Sequence, residues 1–97
     1  MPNTLSFGVM SVMIERPEIR LGQWISIGMV RAVISTIHEP GKGFGDCEVV
    51  FDPRKPTNRD AEWRDGAWQF VESPDFGGYA ESSDRLRRFV TILKAGY

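Results

Sequence analysis

Asp65 and Gly66 separate two short segments that each contain a tryptophan, and this feature constrains the fold more than any other in the 97-residue chain. An Asp-Gly pair between two aromatic-bearing segments is typical of a two-residue β-hairpin turn. If these residues form the turn, Trp63 lies directly opposite Trp68 on the same face of the sheet. The sequence therefore predicts a β-rich protein with a fixed register at this hairpin.

Size and composition are those of an ordinary single-domain globular protein. The 97 residues, of which 41% are hydrophobic and 26% charged, are enough for one core but too few for two. We expect a single domain over residues 1–97, with an N-terminal strand or arm at 1–20, a barrel core at 21–72 and a C-terminal helix at 82–95. The formal net charge of -1 provides no general attraction for nucleic acid or acidic membranes.

The cysteine content and the N-terminal residues predict a cytoplasmic protein without a membrane role. The single Cys47 cannot form an internal disulfide. Residues 5–14 are apolar, but their serines and glycine fit neither a signal peptide nor a membrane span. This segment fits either a strand or a helix, and its β-branched residues and Gly8 favour a strand. As an uncharged strand it would offer a template for a second copy of the chain, so we predict a homodimer in preference to a monomer.

Alternating apolar residues predict further strands before the hairpin. Between residues 23 and 38 the apolar positions change parity near Gly28, which predicts two strands joined by a turn or bend there. Residues 47–52 predict the next strand. The glycine-rich segment 39–46 and the polar segment 54–60 are predicted to be loops on either side of it.

The hydrophobic period changes to three and four residues near the C-terminal end, which predicts an amphipathic helix. Ser83 or Asp84 is suited to cap its start, and Gly96 is suited to follow its last turn. The predicted apolar face consists of Leu86, Phe89, Val90 and Leu93. The predicted outer face consists of Arg85, Arg87, Arg88 and Lys94. A helix of this kind would close or support the sheet.

Taken together, these elements resemble small SH3-like barrels. The resemblance covers residues 20 to 72, includes the segment 22–28 with its Gly-Gln-Trp-Ile-Ser-Ile-Gly sequence, and rests on the pattern of short strands and polar loops alone. We therefore predict a mainly β fold, a small SH3-like barrel of about five or six strands with a C-terminal amphipathic α-helix.

Aromatic residues are the first candidates for a binding surface. Small barrels use flat rings in grooves to bind proline-rich peptides or to stack bases. The aromatic candidates are Trp24, Phe44, Trp63, Trp68 and Tyr79. For Trp63 and Trp68 we give more weight to the alternative that they fill the core, because a small barrel has few other large residues to close it.

Arginines of the helix are the second candidates. The segment from Glu81 to Tyr97 carries four basic and two acidic residues, so Arg87 and Arg88 could contact phosphate or an acidic partner. The alternative is a solvated helix face, which is the usual role of such residues. The charged residues between 52 and 65, among them Arg59, balance one another and are predicted to form a solvated face.

The sequence offers weak signals for chemistry. His38 and Cys47 flank the glycine-rich loop, and a hairpin would place them opposite each other or one position apart. Contact between the two side chains would lower the thiol pKa of Cys47 and create a nucleophile. We favour a buried cysteine acting as a small apolar residue. Residues 41–45 lack the following helix of a phosphate-binding loop. One histidine and one cysteine leave no zinc site, so no catalytic residue, metal or cofactor is predicted.

We therefore predict a small non-enzymatic protein-binding or assembly module, whose partner the sequence does not identify. The alternative function is a nucleic-acid-associated module that uses the aromatic residues and the basic helix, which the net charge disfavours. An enzyme based on Cys47 and His38 comes third.

Overall fold

The structure, a computed structural model, describes residues 15–40, 45–72, 78–79 and 84–97, with the backbone alone for 78 and 79. The strands in these residues are β1 (Trp24–Ile27), β2 (Val30–Ile37), β3 (Cys47–Phe51), β4 (Thr57–Arg64), β5 (Ala67–Phe70) and β6 (Gly78–Tyr79). A 3-10 turn at Asp84–Leu86 leads into the helix α1 (Arg87–Gly96).

The strands form one antiparallel sheet that curls towards closure. Their order is β1-β2-β3-β4-β5, and β6 pairs with the first residues of β4 beside β5. The two end strands, β1 and β5, contact each other, so the first five strands form a nearly closed barrel. The predicted fold, mainly β with a small SH3-like barrel and a C-terminal helix, is confirmed.

Two short turns set the register of the barrel. Gly28, with a φ of 61°, begins the two-residue turn between β1 and β2, where the change of parity predicted a break. Asp65 and Gly66 both have positive φ, 56° and 78°, as a type I′ turn requires. Trp63 and Trp68 are directly opposed across that turn. The predicted hairpin register is therefore confirmed.

Both faces of the sheet are buried, each in its own core. The core inside the barrel consists of Ile19, Ile25, Ile27, Ala32, Ile34, Cys47, Val49, Ala61 and Trp68. The core under the helix consists of Val33, Val50, Leu86, Phe89, Val90 and Leu93. Neighbouring residues of β3 belong to different cores, since Val49 faces inward and Val50 faces α1. The predicted apolar face of the helix is confirmed.

The helix begins later than predicted. Its first residue is Arg87, and Leu86 occupies the N-cap position without any side-chain capping bond. Asp84 belongs to the 3-10 turn that precedes α1, and its carboxylate pairs with Arg87. Ser83 lies outside the described residues. The 3-10 turn forms because Leu86 is anchored in the core, 1% exposed, so the chain reaches the sheet before the helix starts.

Gly96 is part of α1, whereas the sequence predicted that it follows the last turn. A Cβ atom at this position would lie 2.8 Å from Cζ2 of Trp24, so no larger residue fits without a shift of the indole. The glycine therefore serves the close approach of the helix to Trp24 and does not end the helix.

The polar segment predicted as a loop before the hairpin is partly a strand, because β4 begins at Thr57. Asn58 pairs with Val50 of β3 and faces the helix side, while Arg59 pairs with Val49 and faces the barrel interior. The strand pattern was missed because these positions carry polar side chains on both faces. The sequence also predicted a solvated position for Arg59, whose side chain is partly buried in the structure.

Candidate functional site

The hairpin tryptophans lie at the barrel interior. Trp68 is 8% exposed and belongs to the inner core, and Trp63 is partly buried against it. Their rings meet edge to face, with centroids 5.4 Å apart. This placement favours the core role that was weighed against a binding role, and only Trp63 keeps part of its surface accessible.

Trp24 is partly buried and lies in a cluster with the exposed residues Arg31 and Tyr97, which we call the Trp24 cluster. The Arg31 guanidinium carbon is 4.5 Å from the centroid of the Trp24 ring and 5.6 Å from that of Tyr97. The two aromatic rings are tilted with centroids 6.3 Å apart. Tyr97 is 55% exposed and Arg31 is also exposed. Within the described part of the chain, Arg31 forms no ion pair with a carboxylate.

One side of α1 carries a shallow basic groove of about 400 Å³. It is lined by Arg87, Val90, Thr91 and Lys94, which share one side of the helix at spacings of three, four and seven residues. Val90 belongs to the core under the helix, so its side chain forms the apolar floor of the groove. The groove is therefore an apolar and hydroxyl-bearing strip with a cation at each end.

Arg87 and Arg88, the predicted binding arginines, have different surroundings. The Arg87 guanidinium bonds to the carboxylate of Asp84, three residues earlier, and both side chains are highly exposed. The Arg88 guanidinium stacks over Phe89 at 4.5 Å from the ring centroid. An exposed ion pair of this kind contributes little to stability, so Arg87 can exchange Asp84 for a charged partner at small cost. The Arg88 side chain is also exposed.

A polar network on the helix side of the sheet is centred on Glu48, whose side chain is 14% exposed. The carboxylate accepts hydrogen bonds from Ser35 at 3.0 Å, Asn58 at 3.1 Å and Arg85 at 2.9 Å. Arg85 also donates to the Thr36 hydroxyl at 3.0 Å. Burial acts to raise the pKa of Glu48, but the bonds from Arg85, Ser35 and Asn58 outweigh it and hold that pKa below its usual value.

Arg85 therefore does not point away from the sheet as the sequence predicted. It reaches back across the 3-10 turn and fixes the start of α1 to β3, and the same contact raises its own pKa. The irregular pairing of β2 and β3 between Ile34 and Thr36 admits Ser35 to the network, where it is 5% exposed.

His38 and Cys47 are one position apart, one of the two predicted arrangements. The His38 backbone NH donates to Asp46, and the imidazole Nε2 lies 2.8 Å from a carboxylate oxygen of Asp60. Cys47 is fully buried, and burial, assisted by the nearby charge of Asp46, raises its thiol pKa to about 12. A thiol with this pKa is protonated at neutral pH and is not an activated nucleophile. The interpretation of Cys47 as a small buried residue is confirmed.

Two important contacts had no signal that we recognised in the sequence. Asp46 accepts the backbone NH of Trp63 at 2.7 Å and pairs with Arg16 at 3.0 Å, so it joins the hairpin to the segment before β1. Arg31 was not considered as a site residue. The turn at Gly28 could have revealed it, because that turn places Arg31 two residues before Val33, which lies opposite Trp24, and so on the same face as Trp24.

Some candidates fall outside what the structure describes. Phe44 and the rest of residues 41–44 lie outside it, as do residues 5–14, whose strand or helix assignment stays a prediction. For Tyr79 the structure gives only the backbone, which pairs with Thr57 at the start of β4.

Metal ligands, membrane spans and known relatives give no further indication of function for the described residues. Within the described ranges, no group of three or more His, Cys, Asp or Glu side chains could hold a metal ion. No helix among the described residues is long and apolar enough to cross a membrane. No protein-family model, curated protein or solved structure matches this chain.

Proposed function

We propose that this chain is a small non-enzymatic protein-binding module. The observation that carries the proposal is the Trp24 cluster, in which the exposed Arg31 and Tyr97 pack on Trp24. Tryptophan, tyrosine and arginine are the residue types that most often dominate the binding energy of protein interfaces. Their rings and stacked guanidinium offer large, rigid contact area whose ordering costs little entropy.

Charge on the adjacent helix indicates the chemistry of the partner. Arg87 and Lys94 stand at the two ends of the basic groove, and seven residues of helix separate them by about 10.5 Å. Two carboxylates at a comparable spacing would complement these cations, with an apolar side chain between them on Val90. We therefore expect the partner to present an acidic segment of protein to this face.

The binding surface is held rigid by contacts beneath it. Phe89 and Leu93 anchor α1 in the core at 4% and 0% exposure, and Arg85 ties its start to Glu48. Gly96 brings the end of the helix against Trp24. A surface fixed in this way loses little conformational entropy when a partner binds.

The test compares two double charge reversals that change the net charge equally. A tagged wild-type chain is used to isolate its binding protein. The Kd for that protein is then measured with the wild-type chain, with Arg87→Glu/Arg88→Glu and with Arg54→Glu/Lys55→Glu. The last variant is the control, because Arg54 and Lys55 are exposed in the loop before β4. We expect the first variant to bind at least about tenfold more weakly and the second to be unchanged, with equal melting temperatures.

Tyr97→Ala tests the Trp24 cluster separately from the charges. It should also weaken binding by about tenfold or more, because truncating an interface aromatic commonly costs over 1 kcal/mol. If neither this variant nor the helix reversal changes the Kd, the proposed surface is wrong.

A nucleic-acid-associated module is the second candidate. It is favoured by one observation, that the exposed Tyr97 ring and the partly exposed Trp24 ring, both suited to base stacking, lie next to a basic helix. The net charge of -1 disfavours it. Retention on single-stranded DNA that falls steeply with salt, and that Tyr97→Ala reduces, would support this candidate over the protein partner.

Homodimer formation and a cytoplasmic location stay predictions. Sedimentation at micromolar concentration separates a dimer from a monomer, and a single species of 11.0 kDa would contradict the dimer. If a dimer forms, Tyr97→Ala will show whether the Trp24 cluster is its interface, in which case the partner is a second copy of the chain.

A further inference from the structure

Arg59 lies on the inner face of β4, where this strand passes from its pairing with β5 to its pairing with β6. Its guanidinium carbon is 4.5 Å from the centroid of the Phe70 ring. Phe70 in turn packs on Phe51, with ring centroids 5.0 Å apart. All three side chains are partly buried, so the cation stands beside an apolar wall that solvent still reaches.

No carboxylate in residues 15–40, 45–72 or 84–97 neutralises Arg59. Its Nη2 donates to the backbone carbonyl of Val71 at 3.3 Å, and a guanidinium has five N–H donors. Glu72, the next residue, is exposed and does not pair with it. Partial burial of a cation costs free energy unless acceptors offset it, and among the described residues the Val71 carbonyl is the one acceptor that bonds to Arg59.

We propose that Arg59, Phe51 and Phe70 bind a small organic carboxylate that carries an apolar body. A guanidinium stacked on a ring keeps its N–H edge free, and a carboxylate in the same plane can accept two parallel hydrogen bonds from that edge. The apolar body of the ligand then covers the exposed parts of Phe51 and Phe70.

This site is independent of the proposed protein-binding surface. Arg59 faces the barrel interior together with Val49, whereas the Trp24 cluster and α1 lie on the opposite face of the sheet with Val33 and Val50. The bond to Val71 also gives Arg59 a structural role, since it holds the chain where it leaves β5. A structural role alone predicts no preference between a charged ligand and a neutral one of the same shape.

The test uses the full chain with benzoate as the probe and benzamide as a neutral probe of similar shape. Binding is followed through backbone amide chemical shifts in an NMR titration of the wild-type protein, Arg59→Lys and Arg59→Met. Lysine keeps the positive charge but lacks the planar fork. Arg54→Met serves as the matched control, because Arg54 is an exposed arginine in the loop that leads into β4.

We expect benzoate to bind saturably with a Kd of about 1 mM and to shift the amides of Arg59 and Phe70 most. Benzamide should bind at least about tenfold more weakly, and Arg59→Lys should lose about tenfold in benzoate affinity while Arg54→Met loses none. The proposal is overturned if benzoate does not saturate, if benzamide binds equally well, or if Arg59→Lys retains wild-type affinity. If Arg59→Met does not fold, the proposal is still tested by the affinities of benzoate and benzamide for the wild-type protein and by the benzoate affinity of Arg59→Lys.

Discussion

Replacing Glu48 with glutamine should destabilise the protein by about 2 kcal/mol, because this carboxylate joins three strands and the start of α1. It accepts hydrogen bonds from Ser35 on β2, Asn58 on β4 and Arg85 before the helix. Glutamine has the same shape but only one accepting atom. Its NH2 group would face the donors of Asn58 or Arg85, so at least one charge-assisted bond is lost.

The magnitude follows from the exposure of the two charged groups. A hydrogen bond to a charged group contributes about 1.5–3 kcal/mol, and breaking a fully buried ion pair costs about 3–5 kcal/mol. The Glu48 side chain is 14% exposed, but that of Arg85 is 57% exposed, so Arg85 can turn towards water and the lower range applies. In a domain of this size a loss of about 2 kcal/mol lowers Tm by about 8–16 °C.

The pH dependence separates the charge of Glu48 from its packing. Its pKa is lower in the folded protein than the usual value of 4.5. A carboxyl group of this kind stabilises the fold fully above its unfolded pKa, and the contribution disappears as the pH falls through the folded pKa. The stability difference between the wild-type protein and Glu48→Gln should therefore be largest at neutral pH and shrink as the pH falls below 4.5.

Urea denaturation at neutral pH and at a pH well below 4.5 measures this difference. Glu62→Gln is the matched control, since Glu62 is on β4 and pairs at 3.4 Å with Arg64, which is 57% exposed. Loss of that surface pair should cost less than about 1 kcal/mol. Equal unfolding midpoints for wild type and Glu48→Gln at neutral pH, or a difference that does not shrink in acid, would refute the role given to Glu48.

The remaining predictions concern the hairpin, the helix and the buried thiol. Gly66→Val should lower the free energy of unfolding by about 1–2 kcal/mol in thermal melts, because residue 66 has a φ of 78°. Apart from the adjacent residues, no atom of the described chain lies within 4 Å of an added Cβ, so backbone strain alone acts, and an unchanged Tm would contradict the type I′ turn. Phe89→Ala should lower the free energy of unfolding measured in urea by about 3–5 kcal/mol, whereas Arg88→Ala should lower it by less than about 0.5 kcal/mol. Similar losses for both variants would show that α1 is not docked through Phe89. Cys47 should react with iodoacetamide at neutral pH only after the protein is denatured, because burial raises the pKa of its thiol to about 12. Rapid labelling of the folded protein would contradict this protection.

Features set by neighbouring residues were predictable from the sequence. The Asp65-Gly66 turn was recognisable because a type I′ turn needs positive φ at both of its central residues, which aspartate and glycine tolerate better than most. The break at Gly28 followed from a change of parity within a few residues. The apolar face of the helix followed from its period, and all four predicted residues are buried.

Features set by distant residues were not predictable in this way. Arg59 appeared to belong to a solvated stretch, because its partners Phe70 and Val71 lie at and just after the end of β5 and its own strand lacks an apolar pattern. The Trp24 cluster depends on where Tyr97, the residue that follows α1, meets β1. Only the docking of α1 across the sheet decides that contact, and the local sequence of Tyr97 carries no sign of it.

Because β3 is a wall of both cores, the helix and the barrel should unfold in one cooperative step. Val49 and Val50 are consecutive residues, so a displacement that loosens one core strains the other through a single peptide unit. The amides of α1 and β3 should then exchange with solvent through the same global opening, with similar free energies. A partner that binds the helix would therefore slow amide hydrogen exchange throughout the barrel. In this respect α1 would behave as a fixed part of the domain and would not detach from the sheet independently.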